Sequence, residues 1–495
     1  MSRKTKWSLL SIAALVLVSG RTAAEMPLAE LMESETGVIV EHLDQGDIDA
    51  GAYTLNELFE KGKFVFSAAF NRVDGQGRPA STGGGVPRFP DEPAKLRTSG
   101  PDSDSCAGCH AQPRPGGSGD FVANVFVLAQ ELDPVTFSVD ASQSNDRNTL
   151  GMMGSGPIEM LAREMSTELQ AIRDQALQDA AQLATPVTVP LVTKGVFFGT
   201  LTAQPNGQVD PSGIEGVDWD LIIKPFHQKG AVVSLRQFTN NAMNHHHGMQ
   251  STERFGQGND EDLDDVVDEL TEGDITAVTL FQAALNVPGF VVPLDIQDRF
   301  YANDGRRLFG QTGCARCHKH EMALDTRMFT EPNPFNPSGN LTPDDVSNVF
   351  SFDMTTNGEI PRIQPRPGVS ALVRPFTDLK RHNLNDADFN HFDNEQLSQG
   401  SLLGFADPGD FTIPALLRPT DEFLTRKLWE VGNSAPYGHR GDLSTITEAI
   451  YFHGGDARVE RDAFFALTPT ERDKIVQFLK TMQVVPPGSA YITFQ

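Results

Sequence analysis

The clearest hydrophobic pattern in the first half of the chain runs from Ile158 to Ala181. Apolar residues recur there at steps of three to five positions: Ile158, Leu161, Met165, Leu169, Ile172 and Leu177. This spacing places them on one face of an α-helix. Residues 151–157 are rich in glycine and methionine, so a loop should lead into the helix. The pattern predicts one long helix that buries a single face.

Residues 186–235 carry a different pattern, which is typical of β-structure. Val187–Val189 and Val196–Thr202 are rich in β-branched residues, and Asn206-Gly207 is a turn signal. The stretch from Trp219 to Ile223 is a further strand candidate. We predict that these strands are inserted into an otherwise helical domain.

Two amphipathic helices are predicted at the two ends of the second half. The first runs from Gln297 to Phe309 and leads directly into Gly310. The second follows Thr468 and Glu471, which form a capping-box pattern with Pro469 at the first helical position. Its apolar side consists of Ile475, Val476, Phe478, Leu479 and Met482.

The stretch from Asp260 to Asp274 is strongly acidic, with Val266, Val267 and Leu270 forming a narrow apolar stripe. Runs of like charge are usually solvated. We therefore expect a solvated helix face here rather than a cation site.

The N-terminal residues have the pattern of a secretory signal peptide. A basic start (Arg3 to Lys6) precedes an apolar run from Ser8 to Gly20 and small residues up to Ala24. The apolar run of about 13 residues is too short to span a bilayer comfortably, which favours cleavage over an uncleaved anchor. No other segment is apolar over the length of about 18 residues that a span needs. We predict residues 1–24 as a signal peptide and a periplasmic mature chain without a membrane span.

The chain has 495 residues, which favours two or three domains. Its formal charge is −26, and without residues 1–24 it has 36 basic against 66 acidic residues, near −30. This charge argues against nucleic acid and anionic membranes as partners. It suits a basic electron-transfer partner, or simply solubility.

Two copies of one cysteine motif carry the main chemical signal. Residues 106–110 and 314–318 both read Cys-x-x-Cys-His, the attachment signature of c-type haem. In such a site two sulfurs form thioethers to the haem vinyl groups, and the histidine ligates the iron from the proximal side. The sequence predicts two covalently bound haems c. The attachment residues are Cys106, Cys109, Cys314 and Cys317, and the proximal ligands are His110 and His318.

Disulfides, a thioredoxin-like motif or a zinc site are the alternatives to haem. A zinc site would need a tetrahedral ligand set around one ion. All four cysteines fall inside the two motifs, and each motif carries its own histidine, so haem is favoured at both. Haem c is attached outside the cytoplasmic membrane in bacteria, which agrees with the predicted export.

The sequence does not decide which residue lies on the distal side of the first haem. His245, His246 and His247 are consecutive and cannot all face one way on a helix or strand. One of them is a candidate for the distal position. Met152 or Met153, in the loop before the long helix, is the other candidate, although packing is the commoner role of such methionines.

The C-terminal region resembles bacterial di-haem cytochrome c peroxidases, and most of all their relatives the di-haem oxidoreductases, also called thiol oxidoreductases. Residues 428–441 are similar to the segment "LW-x-V-G…APY-x-H-x-G" of these proteins. The similarity extends through residues 443–457 and includes Leu308-Phe309 and residues 378–382. It covers most of residues 299–485 and is weaker over residues 25–295.

The resemblance implies a mainly α fold with two cytochrome c-type haem domains, residues 25–295 with the β insertion and residues 296–495. It implies electron entry at the C-terminal haem from a small redox donor protein, a cytochrome or a cupredoxin. Hydrogen peroxide or another small oxidant would react at the N-terminal haem. Family members often bind Ca²⁺ between the domains, so Ca²⁺ is a further expected cofactor.

The resemblance also implies a sixth ligand for the C-terminal haem. Classical members have Met after the helix that aligns with residues 447–450, and His453 stands there in this chain. We expect ligation by His318 and His453, which should lower the reduction potential relative to methionine. His320, Met322 and His439 are the alternatives.

The chain departs from the peroxidase pattern at the catalytic haem. No histidine occurs between His110 and His227, where classical peroxidases have one soon after the first motif. Their inter-haem tryptophan is missing from residues 226–230, and Trp219 is a possible replacement. The acid–base residue would come from His245–His247, with Glu159 or Glu253 as carboxylate alternatives.

Three functions remain open from the sequence. A peroxidase-like oxidoreductase is favoured. A di-haem electron carrier without catalysis is the first alternative, and an enzyme that oxidises a protein or organic substrate is the second.

Overall fold

The computed structural model describes residues 35–77, 103–120, 122–124, 146–262, 264–388 and 422–489. The predicted signal peptide lies outside these residues. The helices are α1 (Gln45–Asp49), α2 (Leu55–Ser67), α3 (Cys106–Cys109), α4 (Ser155–Leu183), α5 (Leu235–Ala242), α6 (Thr252–Phe255), α7 (Glu272–Ala283), α8 (Ile296–Gln311), α9 (Ile446–Tyr451), α10 (Arg458–Ala466) and α11 (Pro469–Lys480).

The strands are short and pair as antiparallel ribbons of two or three. They are β1 (Val122–Asn124), β2 (Asp146–Asn148), β3 (Val187–Thr193), β4 (Val196–Ala203), β5 (Val209–Asp210), β6 (Gly289–Phe290), β7 (Met322–Leu324), β8 (Met328–Glu331), β9 (Phe350–Asp353), β10 (Gln364–Arg366), β11 (Val369–Val373), β12 (Arg381–Asn383), β13 (Glu422–Leu424) and β14 (Met482–Gln483).

The expected mainly α class needs correction, because the described residues combine helices with small antiparallel sheets. The named elements between residues 322 and 424 in the described ranges are all strands. Prolines recur between residues 332 and 375. Since proline removes a backbone donor and clashes with the preceding helical turn, this stretch forms loops and ribbons instead of helices.

The long helix predicted in the first half is confirmed as α4. It starts after Gly154, whose backbone is left-handed (φ 71°), and its buried residues include Ile158, Leu161 and Met165. The first two predicted strands are confirmed as β3 and β4 of the sheet β3-β4-β5, which packs against α4. The third prediction was wrong, because Trp219–Ile223 forms a turn and an irregular segment, and the third strand is Val209–Asp210. The β3–β4 register shifts between Pro190 and Val192, where proline cannot donate to the ladder.

The two helices predicted at the ends of the second half are confirmed as α8 and α11, and they pack on each other. The capping box of Thr468 and Glu471 is formed. Gly305 of α8 lies so close to α11 that an added Cβ would be 1.9 Å from the carbonyl oxygen of Lys474. Phe309 and Phe478 pack nearby with ring centroids 5.7 Å apart.

The buried apolar residues form two main clusters. The larger one is built mostly from the first half, but it also takes in Met322, Phe329, Phe352 and Val373 from the second. The smaller one contains α8 and α11 side chains together with Ile446 and Phe464. The ribbon β6–β14 joins the chain just before α8 to the end of α11.

The acidic stretch differs from the expected solvated helix. Asp262, Asp264 and Glu269 are buried, and the described residues between Asp260 and Leu270 contain no helix. In the described ranges, no helix has both the length and the apolar character needed to cross a bilayer.

Candidate haem sites

The second cysteine motif follows α8 directly. Gly313, with a left-handed backbone (φ 91°), ends the helix, and Cys314–Arg316 form a 3₁₀ turn. The amide of His318 donates to the carbonyl of Cys314 at 3.0 Å, which closes the turn and places cysteines and histidine at one wall of a cavity.

His318 and His453 line this same open cavity of about 1630 Å³. Nδ1 of His318 lies 2.9 Å from the carbonyl oxygen of Phe376, and Nδ1 of His453 lies 2.6 Å from that of Ala449. A carbonyl can only accept, so Nδ1 carries the proton in each ring. The Nε2 lone pair is then the metal-binding atom of both residues.

The surrounding protein keeps both imidazoles neutral, although each ring retains accessible surface on the cavity. Burial lowers the pKa of His318 to about 4. Burial also lowers the pKa of His453, against the opposing effect of the Ala449 carbonyl. Neutral imidazole is the form that ligates iron.

The cavity around the second motif fits a haem. Its apolar wall comes from Phe309, Ile446, Ile450 and Leu479, and the basic side chains of Arg426, Lys427 and Arg461 also line it. Apolar walls suit a macrocycle, and cationic groups suit its propionates. All four cysteines lie in the described residues, and none of them forms a disulfide there.

The first motif forms the single helical turn α3, and the amide of His110 donates to the carbonyl of Cys106 at 2.9 Å. Cys106, Cys109 and His110 line a second open cavity, of about 890 Å³. Burial, followed by the nearby His246, lowers the pKa of His110 to about 4. The first site therefore also offers a neutral imidazole beside two thiols.

His246 and His247 lie across this first cavity, while the side chain of His245 lies outside the described residues. Nε2 of His247 is 3.3 Å from Sγ of Cys106, and its Nδ1 is 2.6 Å from the carbonyl oxygen of Ser103. His246 is close enough to lower the pKa values of both His110 and His227. His247 is thus held beside an attachment cysteine, and His246 faces the proximal imidazole.

The backbone explains how neighbouring histidines reach one cavity. Met243–His247 form a π-helical turn at the end of α5, and Gly248 ends it with a left-handed backbone (φ 68°). An added Cβ on Gly248 would lie 3.0 Å from the backbone of Gly77, so only glycine fits this close approach. Such π turns are frequent at functional sites.

The two cavities share part of their walls. Asn148, Thr149, Leu150, Gln228 and His439 line both. Nδ1 of His439 lies 2.8 Å from Oε1 of Gln228, and the amide of Asn148 donates to the carbonyl of His439 at 3.0 Å. This shared wall connects the first half of the chain to the second.

Part of the C-terminal region is similar to a known protein family. Residues 409–482 match the family described as "Di-haem oxidoreductase, putative peroxidase". The matched region contains His439 of the shared wall and His453 of the second cavity. Haem is therefore the cofactor that the family of this region implies.

Two further comparisons were made with the whole chain. No curated protein matches it in sequence. Among solved structures, hydrazine synthase from Kuenenia stuttgartiensis is 14% identical, with a TM-score of 0.35, and the similarity covers 96% of this chain and 100% of that chain.

The alternatives to His453 are placed differently. His320 and Met322 are not among the described residues that line the cavity, and Met322 is buried in the larger core. His439 lines the cavity but belongs to the shared wall.

The carboxylates considered for acid–base chemistry lie in buried networks outside the described lining of either cavity. Glu159 accepts from Arg163 at 2.6 Å and from the amide of Leu235, the first residue of α5, at 2.8 Å. Glu253 of α6 pairs with Arg236 of α5 at 2.8 Å. Both glutamates hold the elements that flank the histidines in place.

Three other candidates are also outside the described lining of the first cavity. Met152 and Met153 are buried in the larger core, as expected for packing residues. Trp219 is 55% exposed and lines neither main cavity.

His227 and Gln228 are functional candidates that the sequence did not single out. His227 lines the first cavity, and burial, His246 and Arg147 lower its pKa to about 4. The one available signal was the position of residues 226–230, which correspond to the segment that carries the inter-haem tryptophan of peroxidases. No periodicity marks these residues, because they lie in a loop.

Proposed function

We propose that this chain is an exported di-haem c-type oxidoreductase of the peroxidase kind. Electrons from a small donor protein enter at the haem on Cys314 and Cys317, and peroxide or another small oxidant is reduced at the haem on Cys106 and Cys109. The observation that carries this proposal is the difference between the two cavities. The cavity of the second motif is lined by two imidazoles that backbone carbonyls fix, those of His318 and His453. The cavity of the first motif is lined by His110 together with His246 and His247.

The C-terminal site suits electron entry. His318 and His453 line one cavity, and carbonyls hold the Nδ1 of each, so these are the two residues that would hold the iron of a haem there. A haem held by both histidines would serve electron transfer and not substrate binding. When bound, haem supplies the redox chemistry, and the protein sets ligation, access and proton supply.

The N-terminal site suits reduction of a small oxidant. Reduction of hydrogen peroxide to two waters takes two electrons and two protons, and a distal base must move a proton between the two oxygens. His246 and His247 line this cavity together with His110. Nδ1 of His247 donates to the carbonyl oxygen of Ser103, so Nε2, which lies 3.3 Å from Sγ of Cys106, is the nitrogen that can accept a proton.

Electrons would cross at the shared wall, where Gln228 and His439 take the place of the tryptophan found in peroxidases. The donor is expected to be basic, since the mature chain carries a charge near −30. A periplasmic location follows from the predicted signal peptide and from covalent haem.

Electron paramagnetic resonance of the oxidised holoprotein tests this proposal, before and after one equivalent of peroxide. A high-spin ferric signal beside one low-spin signal, with the high-spin signal lost on addition of peroxide, supports a catalytic first haem. Two low-spin signals that persist through one-electron reduction and ignore peroxide would exclude it.

The second candidate function is electron transfer without catalysis. The position of His246 opposite His110 favours it, because a second imidazole could close the sixth coordination position of the first haem. Two persistent low-spin signals in the same experiment would support this function.

A further inference from the structure

Four carboxylates converge behind the first haem site, in the acidic loop that follows α6. They belong to Asp260, Asp262, Asp264 and Glu269. The three aspartates each offer one oxygen within 4.8 Å of the others. Asp262, Asp264 and Glu269 are 2%, 5% and 3% exposed, so this is a buried acidic cluster and not a solvated surface.

The two oxygens of one of these carboxylates, Asp264, have different surroundings. Oδ1 of Asp264 accepts from the amide of Val266 at 2.9 Å. Its Oδ2 is buried and has no hydrogen-bond partner among the described residues. Burying a carboxylate oxygen without a partner is costly, and a bound cation removes that cost.

We propose that Asp260, Asp262, Asp264 and Glu269 bind one Ca²⁺ ion. Ca²⁺ takes oxygen ligands at about 2.3–2.6 Å, so ligands on opposite sides of the ion are about 5 Å apart. The separation of the aspartate oxygens fits this range. The alternate aspartates of residues 260–264 also have the spacing of the first ligands in a calcium-binding loop.

This site is separate from the two haem cavities, and it does not rest on the proposed function. It also differs from calcium bound between two haem domains, because all four ligands lie within residues 260–269. Gly75 makes room for it, since an added Cβ there would lie 2.3 Å from Cγ of Glu269.

The cluster supports the segment that carries the distal histidines. Oε2 of Glu269 accepts from the amide of Gln250 at 2.7 Å, and Oε1 of Gln250 accepts from the amide of Glu261 at 3.2 Å. Ser251 and Leu270 form a parallel bridge. Because Gln250 follows His247 by three residues, an ion in the loop would stiffen the support of this part of the first cavity.

The test is calcium titration of the holoprotein by isothermal calorimetry after treatment with a chelator. We compare the wild type with the double variant Asp262→Asn/Asp264→Asn. Asp265→Asn is the matched control, because it removes one charge from the same loop at an exposed residue, and asparagine tolerates its left-handed backbone (φ 70°). Haem absorbance and far-UV circular dichroism check that each variant is folded.

We expect the wild type and the control to bind one more equivalent of Ca²⁺ than the double variant. Asp264→Asn alone should lower the affinity for that additional Ca²⁺ ion about tenfold or more, because affinity follows the number of charged ligands. Equal stoichiometry in wild type and double variant would overturn the proposal, as would stronger binding of Mg²⁺ than of Ca²⁺.

A second measurement on the wild type keeps the proposal testable if the variants fail to fold. Hydrogen exchange of amides in residues 258–270 should slow by about tenfold or more when Ca²⁺ is added back. Unchanged exchange in this loop at millimolar Ca²⁺ would contradict the site.

Discussion

At the scale of single residues, the histidines of this chain are distinguished by their surroundings. His318 and His453 each have Nδ1 on a backbone carbonyl, and burial lowers the pKa of both. A fixed tautomer with an available Nε2 is what an axial ligand needs. His320 instead packs on Phe376, with ring centroids 4.9 Å apart, and Arg306 contacts its Nε2.

The substitution His453→Met should raise the reduction potential of the C-terminal haem. Methionine stabilises ferrous haem relative to imidazole, and axial ligands set haem potentials over a range of about 0.8 V. We expect a rise on the order of 0.1 V or more, measured by spectroelectrochemical titration. His320→Met is the control and should leave the potential unchanged. A rise in the control instead would assign the sixth ligand to His320.

The substitutions His246→Ala and His247→Ala test which of these two histidines transfers the proton at the first haem. Loss of the proton-transferring residue should lower peroxide turnover by about 10²- to 10⁴-fold. The low-spin signal of the C-terminal haem serves as an internal control and should persist in both variants. Full activity in both would argue against either residue as the distal base.

At the scale of elements, buried ion pairs and close helix contacts hold the haem-binding segments. Arg236 of α5 is fully buried between Glu253 and Glu331, so one guanidinium ties α5 to α6 and to β8. The turn with the three histidines lies between α5 and α6. Its position therefore depends on this ion pair.

Glu253→Gln should destabilise the fold. It leaves the buried charge of Arg236 incompletely paired, and breaking a buried pair typically costs about 3–5 kcal/mol. Denaturant unfolding measures this loss. The exposed pair of Arg173 and Asp174 gives the control, since Asp174→Asn should change the free energy of unfolding by less than about 1 kcal/mol. A stable Glu253→Gln variant that has lost turnover would instead make Glu253 catalytic.

Two glycines of α8 give a matched test of helix packing. In Gly305→Ala the new Cβ meets the Lys474 carbonyl of α11, and such overpacking costs about 1–3 kcal/mol. Gly310→Ala adds a methyl group in open space within the same helix and should stabilise the fold by about 0.5–1 kcal/mol. Thermal unfolding of both variants measures the difference. Equal melting temperatures of the two variants would mean that α8 and α11 can move apart to accommodate the new methyl group at little cost in stability.

At the scale of the whole molecule, two haem cavities meet at one wall, and the two halves of the chain are interleaved around them. Residues 322–373 come after the second motif but pack into the larger core. Asn148 from the first half donates from Nδ2 to the carbonyl of Pro436 at 2.8 Å. Because each half completes the other, the predicted division into residues 25–295 and 296–495 describes the two motifs better than it describes the packing.

The sequence alone determined the features that depend on local spacing. The sequence predicted the helices α4, α8 and α11, the strands β3 and β4, and the two attachment motifs. Each of these is determined by residues close to one another in the sequence. His453 could be named as well, because it lies in a recognisable segment near a helix end. These features need no knowledge of the rest of the chain.

Only the tertiary structure decided which distant residues share a cavity. His246 meets His110, and His439 meets Gln228, across more than a hundred positions of sequence. The acidic loop was misjudged for the same reason, since burial of Asp264 comes from segments that pack over it and not from its own composition. Periodicity reports one face of one element, whereas burial, pKa and ligand geometry arise where several elements meet.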